Sequence, residues 1–187
     1  MADDPRLLRL KEIVEKKAVL HGDFTLTSGA KSTYYFDGRR VTHDAEGVSL
    51  VGALMQELVN KAGAEAVGGP ASAANAIITS VQMVSFQKKQ PVAGFYVRSE
   101  QKAHGTQQLI EGNLPQRAQA PVAVVDDTMT TGGSLERAIE AVEAAGCKVA
   151  LVAVVVDRQQ GGAQRLRAKG YDVRALLVAD ADKIRVP

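Results

Sequence analysis

Residues 122–134 read VAVVDDTMTTGGS, and this run decides the fold. Its first four residues, Val122, Ala123, Val124 and Val125, are all apolar, the pattern of a strand buried on both faces of a parallel sheet. Two carboxylates, Asp126 and Asp127, are expected to end that strand. Thr128, Thr130, Thr131, Gly132, Gly133 and Ser134 follow, and a helical pattern over residues 135–145 begins at once. This order suits a sugar phosphate. Free backbone N–H groups and the positive end of a helix dipole hold a phosphate dianion. Glycines let the backbone approach closely. The two carboxylates just upstream accept hydrogen bonds from vicinal sugar hydroxyls. A plainer reading has the acids merely closing a strand and the hydroxyls merely capping a helix. It accounts for any two of these residues but not for the whole run. The run lacks the Lys of a GxxxxGK[ST] nucleotide loop and the GxGxxG spacing of a dinucleotide fold.

Working outward, strands alternate with helices. Helical patterns cover residues 5–19, 44–62, 72–86, 133–145 and 163–169. Strand patterns cover 65–68, 91–97, 122–125, 148–156 and 173–178, with extended structure over 21–42. Such alternation predicts an α/β fold with a mostly parallel central sheet and right-handed crossovers. Ligands in these sheets bind beyond the carboxyl ends of the strands. The chemistry is therefore expected at residues 68–71, Arg98, residues 126–134 and the Asp157-Arg158 pair. The chain of 187 residues is long enough for one well-buried domain and short for two.

Composition narrows the partners. A net charge of +2 is too small to argue for nucleic acid or a membrane surface, and with no Trp and 4% aromatics a base-stacking platform is disfavoured. A single cysteine, Cys147, excludes an internal disulfide and a Cys metal cluster, and fits a reducing compartment. The N-terminal residues are charged, unlike a secretory signal, and no apolar run approaches the ~20 residues that span a bilayer. A cytoplasmic location is expected. His21 and His43 lack partners at metal-ligand spacing and read as structural or solvated.

Three further segments carry chemistry. Residues 97–112, VRSEQKAHGTQQLIEG, form a long polar loop with Arg98, Lys102 and His104 between candidate hinges Gly105 and Gly112. A diphosphate leaving group needs such positive charge and a cover that excludes water. Residues 24–40, FTLTSGAKSTYYFDGRR, read as a hairpin whose Tyr34, Tyr35 and Phe36 serve packing. Residues 154–162, VVVDRQQGG, end a strand at Asp157 and Arg158, aiming a guanidinium at the ligand face. Arg holds planar carboxylates through two parallel hydrogen bonds.

Taken together and in this order, the four segments closely resemble orotate phosphoribosyltransferases, of the type I phosphoribosyltransferase family. The resemblance covers nearly the whole chain. The VVDD run alone indicates only the wider class, whereas the K-x-HG loop and the later DR are specific. It implies a five-stranded, mostly parallel core in a single domain spanning 1–187, with a small hood formed mainly by residues 1–42. It implies transfer of 5-phosphoribosyl from phosphoribosyl pyrophosphate (PRPP) to orotate, giving orotidine 5′-monophosphate. It also implies Mg²⁺ held mainly by PRPP, with few direct protein ligands, and a homodimer in which the loop carrying Lys102 and His104 completes the neighbouring site. Carried over by position, Asp126 and Asp127 contact the ribose hydroxyls, and Thr130, Thr131, Gly132, Gly133 and Ser134 cradle the 5′-phosphate. Arg98, Lys102 and His104 engage the diphosphate, and Arg158 with Phe36 holds orotate. The chain departs from the family pattern at Thr27, Ala73 and Ser99, where lysines are usual, and Lys31 is the candidate stand-in for the first. Two other readings remain open to the sequence: a related enzyme for another base, which Arg158 disfavours, and a non-catalytic PRPP sensor, which the weak charge disfavours.

Overall fold

In the computed structural model, which describes residues 4–25, 31–99 and 109–187, the motif strand lies at the centre of the sheet. The elements in chain order are α1 (Pro5–Lys17), β1 (Val19–Thr25), β2 (Lys31–Phe36), α2 (Arg39–Thr42), α3 (Ala45–Lys61) and β3 (Ala66–Gly68). Then come α4 (Asn75–Gln87), β4 (Ala93–Val97), β5 (Ile110–Gly112), β6 (Pro121–Met129) and α5 (Gly133–Ala144). The last are β7 (Lys148–Asp157), α6 (Gly162–Ala168), β8 (Val173–Asp180) and β9 (Lys183–Arg185).

The main sheet has seven strands in the order β5-β4-β3-β6-β7-β8-β9. The five inner strands, β4, β3, β6, β7 and β8, pair in parallel, and β5 and β9 add antiparallel edges. The five strands read from sequence are these five. The two edge strands are additional, and β5 lies inside the segment read as loop. Three residues are too few for a period-two pattern to register, so pairing with β4 and β8 defines them.

Alternation along β6 divides the core. Val122 and Val124 pack with Leu135, Ala138, Ile139 and Val142 of α5 on one face. Ala123 and Val125 pack on the other, in the cluster that holds Leu7 and Leu10 of α1 and Val51 and Met55 of α3. Successive strand side chains point to opposite faces, so a continuous apolar run serves both layers. β6 continues through the acidic pair to Met129, four residues beyond the expected end, because Asp126, Thr128 and Met129 all pair with β7. Pairing partners outweigh the low strand preference of Asp.

The helices follow local chemistry. Asp4 caps α1 by accepting from Arg6 N–H at 2.9 Å, Pro5 occupies the first turn, and Leu7, Leu10, Ile13 and Val14 form its buried stripe. Asp44 caps α3 by accepting from Gly47 N–H at 2.9 Å. α1 stops at Lys17, and Val19 begins a strand. β1 and β2 form a separate two-stranded antiparallel sheet, and the segment expected to be extended through Thr42 instead closes with α2. α4 starts at Asn75 rather than Ser72, after a turn at 71–74.

Candidate active site

The carboxyl ends of β3, β4, β6 and β7 meet at one edge of the sheet. A cavity of about 430 Å³ opens there, with Asp126, Asp127 and Ser134 on one side and Phe36 and Arg39 on the other, above the turn at Ser72. Asp126 is 4% exposed. Its Oδ1 accepts from Asp127 N–H at 2.9 Å and its Oδ2 from Ser134 Oγ at 3.3 Å. Burial, then the neighbouring Asp127 charge, pushes the Asp126 carboxyl up to about 7. Burial also raises Asp127, opposed by the Thr128 backbone N–H and the Arg39 charge. Thr128 Oγ1 is buried without a hydrogen-bond partner.

Residues 130–134 turn from β6 into α5. Gly132 precedes the helix with φ +79°, a left-handed conformation that favours glycine. Gly162, at the start of α6, braces this turn: its N–H donates to Thr130 O at 3.1 Å, and an added Cβ would meet that oxygen at 2.6 Å. The first-turn N–H groups of α5 have no intrahelical acceptors, so this turn ends in backbone donors open to an acceptor.

Arg158 follows β7. Its N–H donates to Met129 O at 2.9 Å, and its Nη2 donates to Tyr34 Oη at 3.0 Å. The guanidinium carbon lies 5.4 Å from the Tyr34 ring centre and 6.0 Å from that of Phe36. Phe36 and Arg158 thus come together as expected, and Tyr34 joins them. Lys31 lies elsewhere: its Nζ donates to Thr25 Oγ1 at 2.9 Å, and it lines a separate cavity with Asp23 and Phe24. Arg98 follows β4 and is engaged, with Nη1 donating to Glu111 Oε1 at 2.9 Å. Lys102, His104 and Thr27 lie outside the described residues. Ala73 and Ser99 bring no charge.

Asp37, Gly38 and Arg39 also line the cavity, although the sequence singles out only Thr27, Lys31 and the aromatics of this hairpin. A Cβ on Gly38 would sit 2.7 Å from both Asp127 Oδ2 and Thr128 Oγ1, so glycine here lets the chain after β2 close on the acidic pair. Arg39 Nε donates to Asp37 Oδ1 at 2.9 Å at the cavity rim. The adjacent charged residues of YYFDGRR were the available signal. A second cavity of about 420 Å³, between Leu109, Ile110 and the end of α5, is lined by no titratable side chain.

A paired acidic dipeptide inside a central parallel strand, one tight turn ahead of a helix start, is the arrangement that the resemblance to phosphoribosyltransferases implies. Comparisons agree with that geometry. A family model for the phosphoribosyl transferase domain matches residues 41–177. An orotate phosphoribosyltransferase of Mycobacterium avium (strain 104) is 40% identical over 174 residues, covering 93% of this chain and 94% of that protein. The crystal structure of Mycobacterium tuberculosis H37Rv orotate phosphoribosyltransferase with Fe(III) dicitrate matches with a TM-score of 0.83 at 38% identity, covering 95% of this chain and 98% of that one. The same enzyme in complex with PRPP matches with a TM-score of 0.78 at 34% identity, over 95% and 98% of the two chains. The chain belongs to the orotate phosphoribosyltransferase family.

Proposed function

We propose that this site transfers the 5-phosphoribosyl group of PRPP to orotate, giving orotidine 5′-monophosphate and pyrophosphate, a step of pyrimidine nucleotide synthesis. The carrying observation is Arg158, held by Tyr34 beside Phe36, which lines the cleft together with the acidic pair. A guanidinium is the group that recognises a planar carboxylate, and uracil and adenine have none.

Asp126 and Asp127 accept from the ribose 2- and 3-hydroxyls, and residues 130–134 hold the 5′-phosphate. The orotate ring nitrogen attacks the anomeric carbon as an anion. The bond to diphosphate breaks on the opposite face, and diphosphate leaves with the electron pair. No covalent intermediate or strong base is required. The chain's contribution is positioning and the neutralisation of charge developing on diphosphate. Lys102 and His104, by the family resemblance, supply part of that charge and close the site against water.

Among the described residues no group of three or more His, Cys, Asp or Glu side chains is arranged to hold a metal. The two adjacent carboxylates nevertheless fit Mg²⁺, which keeps most of its waters and takes one or two carboxylates beside substrate phosphates. Bound mainly through PRPP, with Asp126 and Asp127 nearby, it would supply charge neutralisation on the diphosphate.

No helix of the described residues is long and apolar enough to cross a membrane, in keeping with a cytoplasmic enzyme. A homodimer with shared sites is part of the same proposal. Met83 and Phe86, 60% and 77% exposed one helical turn apart on α4, offer an apolar patch for a second copy. The residues to about 42 form the hood of a single domain.

The test is pyrophosphate release with Mg²⁺, PRPP and a panel of bases. Orotate is expected to turn over and uracil and adenine to give little. Robust turnover of uracil with none of orotate overturns the base assignment.

A further inference from the structure

Beside the main cleft lies a smaller cavity of about 80 Å³, and the two share Pro70, Ala71 and Ser134. That is a few water volumes, room for a phosphoryl group but not for a base with its substituents. Its remaining lining includes Arg98 and Ser99 after β4 and Arg137 on α5, and no carboxylate.

The two arginines are not equivalent. Arg98 is paired with Glu111, whose other oxygen accepts from Tyr96 Oη at 2.9 Å, so much of its charge is already balanced. Its Nε is nevertheless buried without a partner, a donor left over for an acceptor in this region. Arg137 has no hydrogen bond or ion pair among the described residues. Helical side chains lean toward the helix N-terminus. Arg137 does so here: a Cβ built on Gly133 would lie 3.8 Å from its Nη1. Among the described residues an unpaired cation therefore stands over the first turn of α5, beside a cavity that shares a wall with the one that holds the acidic pair.

PRPP is anionic at both ends. With its 5′-phosphate on the N–H groups of residues 130–134, its diphosphate needs positive charge on another side of the ribose. We infer that Arg137, with Arg98, binds the diphosphate of PRPP. This rests on the PRPP-dependent reading above. α5 then serves both ends of the substrate, its first-turn N–H groups taking the 5′-phosphate and the side chain one turn on taking the diphosphate. The charge comes from within the subunit, independent of any loop from a neighbour.

The experiment compares Arg137→Gln and Arg137→Lys with the unaltered protein, by calorimetry with PRPP, inorganic pyrophosphate and orotidine 5′-monophosphate in Mg²⁺ buffer. Orotidine 5′-monophosphate carries the 5′-phosphate without the diphosphate. Arg137→Gln is expected to weaken PRPP and pyrophosphate by roughly five- to tenfold, less than a buried charged hydrogen bond would give because the side chain is exposed. Binding of orotidine 5′-monophosphate should stay within about twofold, and Arg137→Lys should recover part of the loss, since it keeps the charge. Unchanged PRPP and pyrophosphate binding overturns the inference. So does an equal loss on orotidine 5′-monophosphate, which would assign Arg137 to the 5′-phosphate. If the unaltered protein binds none of the three, the reading beneath the inference fails with it, an outcome distinct from a silent Arg137→Gln.

Discussion

Arg158 meets the hood through Tyr34 Oη and through two aromatic rings, so its direction is fixed before any ligand arrives. A fixed guanidinium loses little freedom on binding a carboxylate. Arg158→Ala is expected to weaken orotate by about 1.5–3 kcal/mol, the range for a charged hydrogen bond, and to leave PRPP nearly unchanged. Equal losses for both ligands in calorimetry would count against the role. Asp126 makes a pH prediction. Burial pushes its carboxyl up to about 7, well above the ordinary carboxylate range near 4, so over that interval the folded state keeps a proton that the unfolded chain has lost. Stability from this group therefore falls as pH rises through that interval and levels off above it. Asp126→Asn removes the dependence. In urea unfolding the variant should gain on the unaltered protein between about pH 4 and about pH 7, and a constant difference would show that burial does not govern this carboxyl. Charge is otherwise sparse where the resemblance implies lysines: Ala73 and Ser99 are neutral, which leaves Arg137 a larger share of the diphosphate.

Among the elements, the turn between β6 and α5 depends on α6. Gly162 packs with no room for a side chain, since a Cβ would meet Thr130 O at 2.6 Å, Met129 Cγ at 2.9 Å and Gly132 N at 3.0 Å. Two of these atoms are backbone, so relief requires α6 or the turn to move. Gly162→Ala is expected to cost roughly 1–3 kcal/mol of stability, as overpacking does. It should also raise KM for PRPP while leaving orotate affinity little changed. Thermal unfolding and steady-state kinetics check both, and a stable variant with normal KM would mean that the turn does not rely on this brace. The same region shows what was legible in the sequence. The apolar stretch of β6, the glycines and the helix start were readable because each is a local pattern. The extension of β6 through Asp126 and Thr128 was not, since it depends on register with Val154 and Val156 of a later strand. α2 and the edge strands are too short for periodicity to show. Gly38 was hidden because its importance lies in what approaches it, Asp127 and Thr128, which are distant in sequence. Lys31 stands near the expected lysine in sequence, but the hairpin carries it to Thr25 instead of the cleft.

For the whole molecule, the proposed dimer joins the acidic motif of one subunit to the loop of the other. Lys102→Ala and Asp127→Asn, each inactive alone, are then expected to complement when mixed and allowed to exchange. With random pairing half the dimers are hybrids, each with one intact site, so about one quarter of the unaltered activity should return. Mass labelling establishes exchange, and exchange without recovered activity would confine each loop to its own subunit.

Within one chain, α1 shares its core cluster with α3 and also with Leu176 and Leu177 of β8 and Ile184 of β9. On the ribosome this means that the apolar stripe of Leu7, Leu10, Ile13 and Val14 emerges early and gains α3 as partial cover, but waits for nearly the entire sheet before its last neighbours are made. At translation rates of roughly 5–20 residues per second, that interval lasts on the order of ten seconds or more. During it, the nascent chain displays a greasy helix to its surroundings. A chaperone that samples emerging polypeptides has its opportunity here, and slowing elongation ahead of β8 would prolong it.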